Sequence, residues 1–203
     1  ASVIQAFGGE KWKNAGWPRM PTWEEMDCLS FLSVVHGSRG IFFFTFDQIG
    51  KTEEGRERLG RVVGRLNRLY PWLKEENLDY EVQVKMASDH RVDPKGRPAI
   101  HCCLKKKGDK LLLIAVNTIR TYVEAVIQVG DLGIEEFKEV FSGVSYPVVE
   151  GGLRAKFKPF ETKAFVADRR RRSEVRGRRS EVRGRRAEVG GQRSEVGGQR
   201  SEV

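Results

Sequence analysis

Three cysteines and a dense run of arginines are the side chains in this 203-residue chain whose types first suggest chemistry. Cys28, Cys102 and Cys103 give no disulfide framework. An odd count leaves one thiol free, and neighbours such as Cys102 and Cys103 point to opposite faces of a strand. No Cys-x-x-Cys or His/Cys spacing matches a zinc site, and no cofactor is implied. From Arg169 to Val203 the chain carries twelve Arg against five Glu, which is +7 of the total charge of +9. The rest is close to neutral, with 25 Lys and Arg against 23 Asp and Glu. The pI of about 9.6 is thus a property of the tail. Twelve guanidiniums would attract phosphate in a salt-sensitive, sequence-independent way. The stretch lacks the interleaved aromatics that stack on bases, and each repeat carries a Glu that blunts the charge. Nucleic acid is therefore not the favoured partner.

That tail repeats every seven residues: SEVRGRR at 173 and 180, AEVGGQR at 187, SEVGGQR at 194 and SEV at 201. A heptad invites a coiled-coil reading, but each copy has one apolar residue and at least one glycine, so no paired seam exists. The composition predicts a disordered tail over 169–203. No apolar run reaches the roughly 18–20 residues of a membrane span. The chain opens at Ala1, and Ser2-Val3-Ile4 reads as a strand already in progress, so the natural start is expected upstream.

The elements that must position any site begin with SVIQAF at 2–7, a strand closed by Gly8-Gly9. A polar, aromatic loop follows, EKWKNAGWPRM. Thr22 and Glu25 form a capping box for a helix to about His36, with Gly37 as its stop. Met26, Leu29, Leu32 and Val35 make one stripe, widened by Cys28, Phe31 and Val34. The unbroken apolar run from Gly40 to Phe46 predicts a strand covered on both faces. A second helix is expected from Glu53 to Tyr70, ended by Pro71. Its apolar positions are Leu59, Val62, Val63, Leu66, Leu69 and Tyr70, with Arg58, Arg61, Arg65 and Arg68 outward. Strand–helix–strand–helix implies parallel pairing with a right-handed crossover.

From Asp79 the pattern changes. Tyr80–Met86 alternates as a half-exposed strand, and a loop through Asp93-Pro94-Lys95-Gly96 follows it. Further short strands are expected at 99–104, 110–117, 121–129, 137–141, 144–149, 153–157 and 162–167. Their close spacing indicates a small antiparallel sandwich. The fold class is α/β plus all-β: a partial TIM barrel of two β/α units over 1–74, a β-sandwich over 79–168, and the tail.

The run VIQAFGGEKW…WPRMPTWEEMDCLSFLSVVHGSRGIFFFTF resembles strands seven and eight, with helix seven, of (β/α)8-barrel glycoside hydrolases. LLLIAVN, EVFSG and PFETKAFV resemble the β-sandwich that commonly closes such enzymes, and the likeness spans about residues 2–167. It implies a glycoside-hydrolase-like protein in which this chain supplies part of a carbohydrate cleft. The chain alone would be inactive, because the other six barrel strands are missing and would have to be supplied as a partner.

In that shape, chemistry sits where strand C-terminal ends meet their loops. The resemblance selects Gln5, Glu10, Trp12, Trp17 and Arg19 after the first strand, and Thr45, Asp47 and Gln48 after the second. Glycoside hydrolysis needs two carboxyl groups flanking the bond. Relatives often place a nucleophilic Glu in a form such as T-E-F-G-G. Here the stretch is Gln5-Ala6-Phe7-Gly8-Gly9, so Ala6 stands at that position and Glu10 is the candidate catalytic carboxylate. Trp12 and Trp17 are expected to stack on sugar rings, with Gln5, Arg19 and Asp47 as polar contacts. His36, at a helix end, is read as a cap for carbonyls. The alternative is a non-catalytic sandwich module that binds carbohydrate through Tyr122 and Tyr146. The open edge of the first strand and the uncovered apolar face of a partial barrel predict aggregation or a partner chain.

Overall fold

A computed structural model of the chain describes residues 1–87, 92, 95–130 and 132–169. The expected turn at Asp93-Pro94 and the repeats, disorder and anion attraction of the tail from 170 onward fall outside the described residues. Ala1–Arg169 forms one compact unit.

Two parallel strands, β1 (Ser2–Gln5) and β2 (Ile41–Phe44), pair with Ser2 opposite Ile41 and Gln5 opposite Phe44. The crossover between them is helix α1 (Trp23–Val35). Its start is the expected capping box: the Glu25 N–H donates to Thr22 Oγ1, and the Thr22 N–H donates to the Glu25 carboxylate. A short helix α2 (Phe46–Ile49) follows β2, and then a long helix α3 (Glu53–Leu73).

Three details differ from the sequence expectation. Pro71 lies inside α3 rather than ending it. The helix continues because Trp72 and Leu73 pack against a core shared with the sheet below, which outweighs the hydrogen bond that proline cannot donate. On α1, Leu29 is exposed while Asp27 and Ser30 are buried. Ser30 is satisfied by its own helix, donating to the Met26 carbonyl at 2.7 Å. On α3, Val63 and Tyr70 are exposed and Arg65 turns inward. Its guanidinium sits 3.8 Å from the Phe141 ring centroid, donates to the Thr162 carbonyl and lies 3.2 Å from buried Asp27.

The second half is eight antiparallel strands: β3 (Gln83–Met86), β4 (Ile100–Lys107), β5 (Lys110–Asn117), β6 (Val123–Gln128), β7 (Glu136–Glu139), β8 (Ser145–Val149), β9 (Gly152–Phe157) and β10 (Thr162–Asp168). Every expected strand is present, but they make one continuous sheet, in the order β3-β6-β9-β8-β7-β10-β5-β4, rather than two. The join is β8, which pairs with β7 at one end and with β9 at the other. The sheet curls nearly closed over Leu113, Ala125, Ile127, Phe137, Phe157 and Phe165.

Its outer face is not left to solvent. Cys28, Phe31, Val34 and Val35 of α1 and Leu69 of α3 pack on Cys103, Leu112, Ile114, Val116 and Ala164. The other side of α1 meets β1, where Met26 joins Ala6, Ile49 and Val62. Strand β5 is therefore buried on both faces, with Leu111 to Val116 at 2% exposure or less. Strand β2 is not. Phe42 is 64% and Phe44 51% exposed, beside Val3 at 68% on β1. The expectation that Gly40–Phe46 is covered on both faces is corrected: helices cover one face, and the other is open.

Candidate functional site

The geometry around the exit of β1 follows from two glycines. A Cβ on Gly8 would lie 1.9 Å from the Arg19 carbonyl oxygen, so only glycine lets the returning loop cross the strand end there. Gly9 has φ 112°, a conformation that glycine tolerates and L side chains resist. The loop then winds into a 3-10 turn over Glu10–Ala15, where a plain loop was expected. Backbone bonds from Gly9 N–H to Trp17 O and from Trp17 N–H to Trp12 O close it. The turn packs Trp12 against Phe7 in a tilted arrangement, with centroids 4.6 Å apart, and places Trp17 5.0 Å from the same ring.

A cleft of about 510 Å³ opens beside this loop. Gln5, Trp17, Pro18 and Arg19 form one wall, and Glu25, Cys28, Leu29 and Leu32 of α1 form the floor. Thr118, Arg120 and Phe160 complete the lining. Those last three are held by Asn117, fully buried at the end of β5. Its amide donates to the Thr121 and Lys158 carbonyls at 2.9 and 2.8 Å, and its Oδ1 accepts from the Ile119 N–H. One side chain thus ties the β5–β6 loop to the β9–β10 loop.

The charges are arranged unevenly. Arg19 grips Glu25 with two parallel bonds of 2.7 Å, and Glu25 also accepts the capping bond from Thr22. Arg19's hydrogen bonds hold the Glu25 carboxyl below its usual range against the opposing effect of partial burial. The same pair raises the Arg19 pKa. Arg120 Nη2 stops 3.7 Å from Glu25 Oε1. Burial pushes the Cys28 thiol up to about 12, and its sulfur donates to the Asn117 carbonyl, so this wall offers no thiolate nucleophile.

Of the eight residues singled out in the sequence, the structure gathers Gln5, Trp17 and Arg19 into the cleft, and Thr45 and Gln48 are not part of its lining. Trp12 lies outside the lining and packs behind Trp17, with ring centroids 6.2 Å apart. Glu10 is exposed on the 3-10 turn, 3.5 Å from Lys13, and does not line the cleft. Asp47 is exposed on α2, near Gln48 and Lys51, and also lies outside it. Ala6, the position compared with a nucleophilic Glu, is fully buried on the helix side of β1, whereas Gln5 lies on the cleft side. His36 ends α1 through its backbone N–H, which donates to the Leu32 carbonyl, while its imidazole, expected to cap carbonyls, lies with Nε2 3.0 Å from Nδ1 of His101 on β4. Tyr122 is exposed, while Tyr146 is occupied against Phe165.

Sequence reasoning recognised Glu25 only as a cap and missed Thr118, Arg120 and Phe160. The one available signal was the asparagine closing the apolar run LLLIAVN, a polar residue set where a strand must hand over to a loop. Among the described residues no cluster of three His, Cys, Asp or Glu side chains could hold a metal ion, and no helix is long and apolar enough to cross a membrane.

No protein-family model matches the chain, and no curated protein matches it in sequence. Solved structures do resemble it in fold. AmyP in complex with maltose superposes with a TM-score of 0.52 at 14% identity, over 76% of this chain and 37% of that one. An AmyP variant in complex with maltotriose gives 0.50 at 13%, over 72% and 35%. An Anoxybacillus alpha-amylase, of a glycosyl hydrolase subclass, gives 0.48 at 12%, over 82% and 37%. The chain thus spans little more than a third of the length of these structures. Its fold resembles part of the AmyP fold.

Proposed function

We propose that this chain supplies one side of a carbohydrate-binding cleft in a glycoside-hydrolase-like protein, and that it binds sugar without hydrolysing it on its own. The observation that carries this is the cleft itself. A half-exposed indole, Trp17, a second aromatic ring, Phe160, and apolar side chains of α1 share one lining with a few polar groups. That is the composition of a pocket for a ring with an apolar face and hydroxylated edges. The fold likeness to AmyP, which binds maltose, supports the same reading.

Hydrolysis would need two carboxyl groups flanking the bond. The cleft's one carboxylate, Glu25, is fully engaged by Arg19 and the helix cap. A catalytic pair would therefore have to come from another part of the protein, and the open face of β1 and β2 is the surface such a part would cover. Titration of the full chain with maltotriose, followed by NMR, tests this. Binding in the millimolar range that Trp17→Ala weakens about tenfold is expected, from the loss of ring stacking and buried apolar area. Binding that Trp17→Ala leaves untouched would place the sugar elsewhere and sink the proposal.

A further inference from the structure

The charge of the cleft says more than its shape. Three charged side chains line it, Arg19, Glu25 and Arg120. Arg19 and Glu25 consume each other: two 2.7 Å bonds join them, and Glu25 keeps a third for the helix cap. Arg120 makes only the longer ion pair with the same Glu25. Its guanidinium is 3.7 Å from Glu25, beyond hydrogen-bond reach, and its side chain is 77% exposed. Among the described residues it donates no hydrogen bond. Its one ring neighbour is Phe160, 5.9 Å away. The cleft therefore carries one net positive charge, borne by a planar fork of donors beside an aromatic ring. A neutral sugar would leave that fork facing water.

We infer that the ligand is an acidic glycan, whose carboxylate Arg120 takes in a two-pronged bond while Trp17 and Phe160 flank the sugar ring. A uronic acid has this chemistry: a ring with an apolar face and a planar anion on one edge. The inference rests on the carbohydrate reading above and sharpens it. Arg120 is well placed for the task because its backbone is fixed and its side chain is not. Asn117 braces the loop on either side of it, through Ile119 and Thr121.

The full chain, titrated in parallel with trigalacturonate, a sulfated trisaccharide and maltotriose, provides the test, repeated with Arg120→Gln and Trp17→Ala. Trigalacturonate is expected to bind about tenfold tighter than maltotriose, because hydrogen bonds to charged groups are stronger than neutral ones. Arg120→Gln should cost trigalacturonate about tenfold more than it costs maltotriose, and Trp17→Ala should weaken both. The twelve arginines of 169–203 could also attract an anion, and the variants separate the two sources. Trigalacturonate affinity that survives both substitutions would assign the anion to the tail and overturn the inference. Equal or tighter binding of maltotriose would overturn the acid preference while leaving the carbohydrate cleft standing. A sulfated sugar preferred over the uronate would overturn the assignment to a carboxylate. Binding of none of the three would remove both readings together. Arg120 is exposed, so Arg120→Gln should fold as the parent does, which a thermal melt verifies.

Discussion

Two unbroken apolar runs, IFFFTF and LLLIAV, are nearly interchangeable as sequence, yet they meet opposite fates in the structure. Leu111–Val116 has the inner core on one side and the two helices on the other. Ile41–Phe44 has helices on one side, while the rings of Phe42 and Phe44 stand out on the other. The comparison teaches that such a run records what a strand is able to bury. What it does bury depends on the layers the rest of the chain provides.

The comparison breaks hardest at Phe31, the α1 residue fully buried over the outer face of the eight-stranded sheet. Phe31→Ala should cost about 3–5 kcal/mol, read from urea unfolding, since a large ring is lost and its cavity cannot close. A loss below about 1 kcal/mol would mean that the second cover of β5 is not tightly packed.

Asp27, one turn earlier, gives a pH-dependent effect of intermediate size. Burial raises its pKa to about 6, and Arg65 only partly opposes the shift. A folded-state pKa above the unfolded value near 3.9 means that folding takes up a proton between these limits. The contribution of Asp27 is therefore most favourable at pH 4 or below and is lost as pH rises through 6. Relative to Asp27→Asn, the parent should lose about 2 kcal/mol between pH 4 and pH 7.5. A difference that stays flat with pH would show that the pair is better compensated than its misaligned 3.2 Å contact implies.

The smallest change is expected at the open face. Phe42→Ser should shift stability by no more than about 0.5 kcal/mol, because the ring is already mostly in water. It should, however, reduce self-association, seen by sedimentation at rising concentration. A stability loss matching that of Phe31→Ala would show that the face is covered in solution.

Most of the fold was legible because it was written locally. The Thr22–Glu25 box and the alternation over Tyr80–Met86 each declare an element within a few residues. The long-range choices were not legible. Arg65 reads as one more outward arginine on α3, and only the arrival of Phe141 and Thr162 from distant strands makes it inward. The same holds for β8, whose switch of partners turns an expected pair of sheets into one. Half of the site was visible: Gln5 ends β1, and Trp17 and Arg19 follow it in sequence. Arg120 and Phe160 belong to two other loops, which the buried amide of Asn117 and the backbone bond from Phe160 N–H to the Ile119 carbonyl bring alongside.

The double allegiance of α1 bears on how this segment could be inherited. One side of the helix serves β1 and the other serves the sheet. A gene rearrangement that spliced the sheet onto a different pair of parallel strands would have to carry α1 with it, or find a recipient bearing the same Cys-x-x-Phe-x-x-Val-Val imprint. A crossover near residue 75 would instead leave both products with a raw apolar surface. Selection should thus pass the stretch from β1 to β10 along as one heritable block, and variation should concentrate in the loops around the cleft.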